Sequence, residues 1–300
     1  MDKPNITVLL STFNGELFLQ QQLDSIYAQK NVKVNLYVRD DGSKDDTLEI
    51  LERESKSGRL TCYTGPNLKP AWSFWHLLTS APEGDYFAFS DQDDFWMDDK
   101  LFEAYTRLKG HESEPALYFS QTQLADSQLN PLPCVVLNPL LTYGEALIHQ
   151  FVGGCTMLMN AKMRDVLLSY TPKYMQMHDF WIYDVALAVG AYVTFDSTPH
   201  MLYRQHNNNA VGQLNQKRFV WESRLKRLRK RENIRLRTAH ELWLGYHSVM
   251  SDENRRLTYD VINYQRSLKS KWRVLFDKRL KCSSFSVNLS TKLSFLLNLF

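Results

Sequence analysis

The chain has 300 residues, which allows one large α/β domain or two smaller units. A hydrophobic content of 44% and an aromatic content of 13% exclude a disordered chain. The net charge of +3 hides a division: residues 1–213 hold 16 Lys+Arg against 26 Asp+Glu, and residues 214–300 hold 20 against 7. Such asymmetry implies that two kinds of partner are handled in different places.

Met1 to Asn5 is polar and the apolar run from Ile6 to Leu10 has only strand length, so no signal peptide is expected. No stretch approaches the roughly 20 apolar residues of a membrane span, and the chain is expected to be neither secreted nor integral. The Ile6–Leu10 run has the pattern of a strand covered on both faces. Ser11, Thr12, Phe13 and Asn14 follow, then a helical spacing at Leu19, Leu23, Ile26 and Tyr27. A second strand runs from Val34 to Val38 into Arg39-Asp40-Asp41-Gly42-Ser43, and Ser43 with Asp46 predicts a helix cap ahead of Leu48 and Leu51. Leu60 to Tyr63 reads as a third strand, Gly65 to Asn67 as a turn, and Ser73 to Leu78 as the beginning of a helix. This strand–helix alternation places polar loops where open α/β sheets bind ligands. The GxGxxG fingerprint is absent, which argues against an NAD-type site. A carboxylate such as Asp41 can hydrogen-bond a base or ribose, or Asp40-Asp41-Gly42 can simply form a turn.

Tyr86 to Phe89 reads as a buried strand, and Asp91, Asp93 and Asp94 follow it directly, with Asp98 and Asp99 beyond. Packed carboxylates repel unless solvated, paired or metal-bound. Alternation along an extended segment lets Asp91 and Asp93 converge on one ion, and hard oxygen ligands select Mg²⁺ or Mn²⁺. The competing reading, an acidic helix start, explains Asp98 and Asp99 better than Asp91.

Leu117 to Gln121 reads as a further strand, and Pro131, Pro133 and Pro139 as an irregular connection. Phe151 to Met159 reads as a Gly-kinked strand in which Gly153 and Gly154 permit close approach of a ligand or a neighbouring strand. Asp179 stands where it could cap the helix containing Trp181, Val185 and Leu187. Val193 to Phe195 is a strand, followed by Arg204 and His206 in a polar stretch. The cysteines Cys62, Cys134, Cys155 and Cys282 have no CxxC or CxxH spacing, so neither zinc nor a disulfide framework is expected, and a reducing cytosol fits.

The order of three motifs, S-T-F-N from Ser11, D-D-G-S-x-D-D-T from Asp40 and D-Q-D-D from Asp91, resembles the family 2 glycosyltransferases of the GT-A fold. The resemblance runs from Ile6 to about Gly212, and Ser90 to Trp96 looks most like bacterial rhamnosyltransferases of surface polysaccharide biosynthesis. It implies a Rossmann-like α/β fold, a mixed, mostly parallel sheet flanked by helices, to which the composition past Gln213 adds a basic helical extension at the C-terminus. The activity implied is inverting transfer from a nucleotide diphosphate sugar, most of all dTDP-rhamnose; a UDP-linked galactose or glucose donor and a catalytically silent carbohydrate-binding scaffold are the alternatives. Ser11, Phe13, Asp41 and Asp91 should then bind the donor nucleotide. Asp93, Asp94 and His206 should hold Mg²⁺ or Mn²⁺. The family's Arg after the third strand is missing here, leaving Lys69 with Arg204 as cations for the diphosphate. Asp179 matches the catalytic base, His178 should orient it or touch the acceptor, and Trp181 should stack on a sugar.

The catalytic domain is therefore expected over residues 1–213 and a basic amphipathic helical tail over 214–300. Phe219, Trp221, Leu225 and Leu228 are interleaved with Arg224, Lys226, Arg227 and Arg229, and Trp272 and Phe276 with Lys271 and Arg273. Such clusters suit an anionic membrane surface. Nucleic acid is not expected, because no helix-turn-helix or RNP pattern is present; a helical subdomain packed on the catalytic unit is the other reading. A glycan or lipid-linked acceptor follows from the family, and with it a cytoplasmic location on the inner face of the plasma membrane.

Overall fold

The computed structural model describes residues 3–206 and 233–300. A seven-stranded sheet carries the order β3-β2-β1-β4-β8-β6-β9. Its strands are β1 (Asn5–Thr12), β2 (Lys33–Asp40), β3 (Leu60–Thr64), β4 (Tyr86–Ser90), β6 (Ala116–Ser120), β8 (Leu158–Asn160) and β9 (Tyr192–Asp196). Only β8 runs antiparallel to its neighbours, β4 and β6. A second sheet of β5 (Phe95–Trp96), β10 (Met201–Arg204) and β7 (Gln123–Ala125) sits beside the end of β4.

Period-two alternation sorts the two core layers. Ile6, Val8 and Leu10 of β1 with Tyr86 and Ala88 of β4 face α1 (Leu19–Tyr27) and α4 (Lys100–Leu108). Leu9, Phe87 and Phe89 face the opposite layer, with α3 (Lys69–Ser80) and α7 (His178–Val189). The continuous apolar runs are thus covered on both sides, as parallel strands require. α7 is buried nearly all round, because its sequence is apolar on every face.

Two local readings change, and a third holds. Ser43 does not cap α2 (Thr47–Lys56); its hydroxyl donates to Asp40 Oδ2 at 2.5 Å, and Asp46 holds the cap position. Phe151–Met159 is not one strand: Gly154–Thr156 is a 3-10 turn and pairing begins at Leu158. Asp99 does precede α4, at its cap position, and Asp98 pairs with Lys30.

Past residue 232 come α8 (Ile234–Tyr246), α9 (Asp252–Ile262), α10 (Leu268–Leu275) and α11 (Phe285–Leu296). Ala239, Leu242, Tyr246, Val261 and Phe295 join the same core layer as α7, α3 and α5 (Tyr143–Ile148). Polar contacts accompany the packing: Tyr143 Oη lies 2.7 Å from Thr258 Oγ1, and Asn254 Nδ2 donates to the carbonyls of Leu187 and Ala188, closing the end of α7. These helices are therefore built into the fold. The expected boundary at residues 213 and 214, and the basic cluster from Phe219 to Arg229, lie outside the described residues.

Candidate active site

The strand order reverses between β1 and β4, and a crevice at such a switch point is the standard ligand site of an open α/β sheet. Its two walls are tied together by Gln92, which was not singled out from sequence. Gln92 Oε1 accepts from the Phe13 amide at 2.8 Å while its Nε2 donates to the Phe13 carbonyl at 3.1 Å. The S-T-F-N loop and the D-Q-D-D loop are thus held as one unit, leaving the Phe13 ring 44% exposed at the rim.

Ser11 and Asp41 meet through a residue without a motif. Ser73 Oγ, on α3, lies 2.7 Å from Ser11 Oγ and donates to Asp41 Oδ1 at 2.9 Å. Arg39, paired with Ser11 across the β1–β2 register, forms an ion pair with Asp41 and reaches Ser73 Oγ at 3.1 Å. Asp41 Oδ2 accepts from the Leu68 amide at 3.0 Å, so the carboxylate is fixed on both oxygens. Asp40 makes the turn itself, accepting from the amides of Gly42 and Ser43 at 2.9 Å. The turn reading is therefore realised on Asp40, while Asp41 is held in place beside it by Arg39, Ser73 and the Leu68 amide. Lys69 stands exposed at the start of α3, apart from the carboxylates, and its ammonium makes no ion pair among the described residues.

At the other wall His206 Nε2 lies 2.8 Å from Asp93 Oδ2. Asp94 is fully buried, with Oδ1 accepting from the Arg204 amide at 3.2 Å and Oδ2 left without a partner. Ligand atoms of Asp91, Asp94 and Cys155 lie within 4.8 Å of one another. Burial, then the charges of Asp93 and Asp179, pushes the Asp91 carboxyl up to about 7, and burial pushes Asp94 well above the usual range. Three carboxylates and an imidazole crowded this way, one with an orphaned buried oxygen, fit a divalent cation better than they fit one another. Arg204 does not extend a fork toward the crevice. Its Nε donates to the Asp93 carbonyl at 2.7 Å, Nη1 to Ser127 O and Nη2 to Gln21 Oε1 at 2.5 Å, and it stacks over Phe18. Arg204 is a clamp that fixes the Asp93 loop.

Asp179 lies in the first turn of α7, past the cap position, which Met177 occupies. Its Oδ2 accepts from the Gly154 amide at 3.0 Å and Oδ1 from the Phe180 amide at 2.8 Å. Burial raises its carboxyl to about 6, and the residue after Gly154, Cys155, has its sulfur within 4.8 Å of the Asp91 and Asp94 carboxylates, so Asp179 borders the same site. The close approach expected at Gly154 is made to α7: a Cβ there would lie 2.4 Å from His178 Nε2.

Two acceptor assignments change. His178 is buried with its ring stacked on Phe74 at 4.2 Å, and burial lowers it to about 3. It packs behind Asp179. Trp181 is 2% exposed and turns toward Tyr246 of α8, so it offers no face to a sugar.

Residues 7–131 match the family model described as glycosyl transferase family 2. Residues 7–131 therefore carry a family 2 glycosyltransferase domain. Among curated relatives it is 27% identical over 225 residues to the dTDP-rhamnosyl transferase RfbG of Shigella flexneri, covering 68% of this chain and 73% of that protein. Among solved structures it resembles S. aureus TarS in complex with UDP-GlcNAc, with a TM-score of 0.58 and 14% identity over 98% of this chain and 92% of the other. It also resembles mannosyltransferase PcManGT from Pyrobaculum calidifontis in complex with GDP-Man and Mn²⁺, with a TM-score of 0.54 and 17% identity over 99% and 81%. These likenesses give this glycosyltransferase the GT-A fold that its sheet order and crevice display.

Proposed function

We propose that this glycosyltransferase moves a sugar from a nucleoside diphosphate donor to a glycan or lipid-linked acceptor of a bacterial surface polysaccharide, with inversion at the anomeric carbon. The observation that carries this reading is the convergence of Asp93 with His206, and of Asp91 and Asp94 with the Gly154–Cys155 turn that holds Asp179, at one end of β4. The acceptor oxygen attacks the anomeric carbon, its proton passes to Asp179, and the bond from that carbon to the diphosphate oxygen breaks with the electron pair leaving on the diphosphate. Asp93 and His206, with Asp94 beneath, would hold Mg²⁺ or Mn²⁺, which supplies neutralisation of the charge developing on the diphosphate. The Gly154 and Phe180 amides aim the Asp179 carboxylate. Ser11, Asp41 and the rim ring of Phe13 form the nucleoside end of the crevice, with Arg39 and Ser73 fixing Asp41.

The Shigella relative favours dTDP-rhamnose as the donor. Calorimetric titration with dTDP-rhamnose and UDP-glucose in Mn²⁺ tests that choice: tighter binding of the first is expected, and a preference for the second would move the assignment to a UDP-hexose. No helix among the described residues is long and apolar enough to cross a membrane. Support for an anionic membrane surface comes from two exposed stripes at helical spacing, Leu268 and Trp272 on α10 with Phe276 capping its end, and Phe285, Leu289 and Leu293 on α11. Lys269, Lys271 and Lys292 lie among them. Val274, Leu275 and Phe295 point inward instead. Co-sedimentation with phosphatidylserine vesicles should be lost in Trp272→Glu/Phe285→Glu; retention of full binding would dismiss this face.

A further inference from the structure

Away from the crevice, the fold assembles three side chains that sugar transfer does not use. Glu145 lies on α5 and His149 just past its end, four residues apart and so on one face. Cys282, in the connection between α10 and α11, reaches the same place, and one ligand atom from each residue lies within 4.8 Å of the others. The packing depends on glycine: a Cβ on Gly144 would lie 2.1 Å from the Arg279 carbonyl oxygen, so α5 rests directly on that connection.

Glu145 supplies an independent observation. Its carboxylate is 0% exposed. Oε2 accepts from the Leu140 and Leu141 amides at 2.6 and 3.2 Å, an ordinary role at a helix start. Oε1 is buried and makes no hydrogen bond within 3.5 Å, the Ser283 amide facing the carboxylate from the neighbouring connection, and no Lys or Arg pairs with the group among the described residues. Burying such a group as a charge costs several kcal/mol unless a cation or a proton meets it. The neighbours are an imidazole and a free buried thiol rather than an ammonium.

We propose that Glu145, His149 and Cys282 form a zinc site that fastens the C-terminal helices to the catalytic unit. A sulfur, nitrogen and oxygen set selects a borderline cation such as Zn²⁺ over Mg²⁺ or Ca²⁺. Zinc–ligand bonds of about 2.0–2.3 Å place ligand atoms roughly 3.3–3.7 Å apart, so side-chain rotation need close the present gaps by only about 1 Å. The thiol gives up its proton to solvent as its sulfur binds, and water takes the fourth position past half-buried His149. The site is independent of the transfer reaction.

Chelator-stripped full-length protein titrated with Co²⁺ should develop a thiolate-to-metal absorption band that Zn²⁺ displaces. Cys282→Ser should abolish the band and weaken Zn²⁺ binding at least about tenfold, and Cys62→Ser, on β3 and outside both clusters, should leave both unchanged. No band in the wild type, or a band that survives Cys282→Ser, would overturn the site. Should Cys282→Ser fail to fold, Glu145→Gln and His149→Gln carry the test. Each should weaken Zn²⁺ to the same degree, and unchanged affinity in both would overturn it.

Discussion

His206 Nε2 and Asp93 Oδ2 lie 2.8 Å apart although 113 positions separate them in the chain. The contact is built by β10, which pairs with β5 immediately after the acidic loop, and by the Arg204 clamp on the Asp93 carbonyl. If this pair holds the cation, Asp93→Asn and His206→Ala should each lower kcat by about 10²–10³-fold, the scale of losing one stabilising group at a departing anion. Steady-state transfer in saturating Mn²⁺ measures this, and activity within threefold of wild type in both variants would remove them from the site.

Asp179 is raised to about 6 by burial, and as a base it must be ionised. The rate should therefore climb with pH through about 6 rather than through the ordinary carboxylate range. Asp179→Asn should cost about 10²–10⁴-fold and flatten that limb. A pH–rate profile of kcat/KM in the wild type and the variant decides it; a limb near pH 4, or an unchanged limb in the variant, counts against Asp179.

Asp184, buried on α7, is raised to about 7, mainly by burial, with Arg235 and the Gln150 amide partly offsetting it. A folded value above the unfolded one means the native state keeps this proton up to about pH 7. The wild type then loses stability, relative to a variant that cannot ionise, as pH rises through that value. Asp184→Asn should raise the melting temperature more at pH 7.5 than at pH 5.5. An equal shift at both pH values would show that Asp184 does not ionise in this range.

Trp181, buried against Tyr246, should behave as core. Trp181→Ala is expected to cost about 3–5 kcal/mol of stability. Trp181→Phe should keep the acceptor KM within about twofold, since the ring meets α8 and not the acceptor. Denaturant unfolding and acceptor kinetics separate the two roles, and a large rise in KM with unchanged stability would return Trp181 to the sugar.

The parts legible from sequence were those written in contiguous residues. The Ile6–Leu10 run could only be a doubly covered strand, and Asp91, Asp93 and Asp94 stand too close together to be indifferent to a cation. Asp179 was legible as a carboxylate at a helix start, its exact place in the first turn less so. Trp181 was misread because α7 is apolar all round, so no periodicity marked which side met solvent. Arg204 looked like a phosphate fork, since its carbonyl partners, Asp93 and Ser127, carry no side-chain signal for the contact. Arg39 and Ser73 lack a motif and matter only once β2 and α3 are set against Asp41. Cys282 meets Glu145 and His149 across the fold, where no ligand spacing along the chain could reveal it.

The proposed activity is metal-dependent transfer from a nucleotide sugar at the β1–β4 crevice. Donor turnover across a panel of dTDP-, UDP- and GDP-sugars, with Mn²⁺ and after chelation, is the decisive measurement. Mn²⁺-dependent turnover is expected, highest with dTDP-rhamnose and abolished by chelator. Turnover with no donor, or turnover indifferent to the metal, would contradict it.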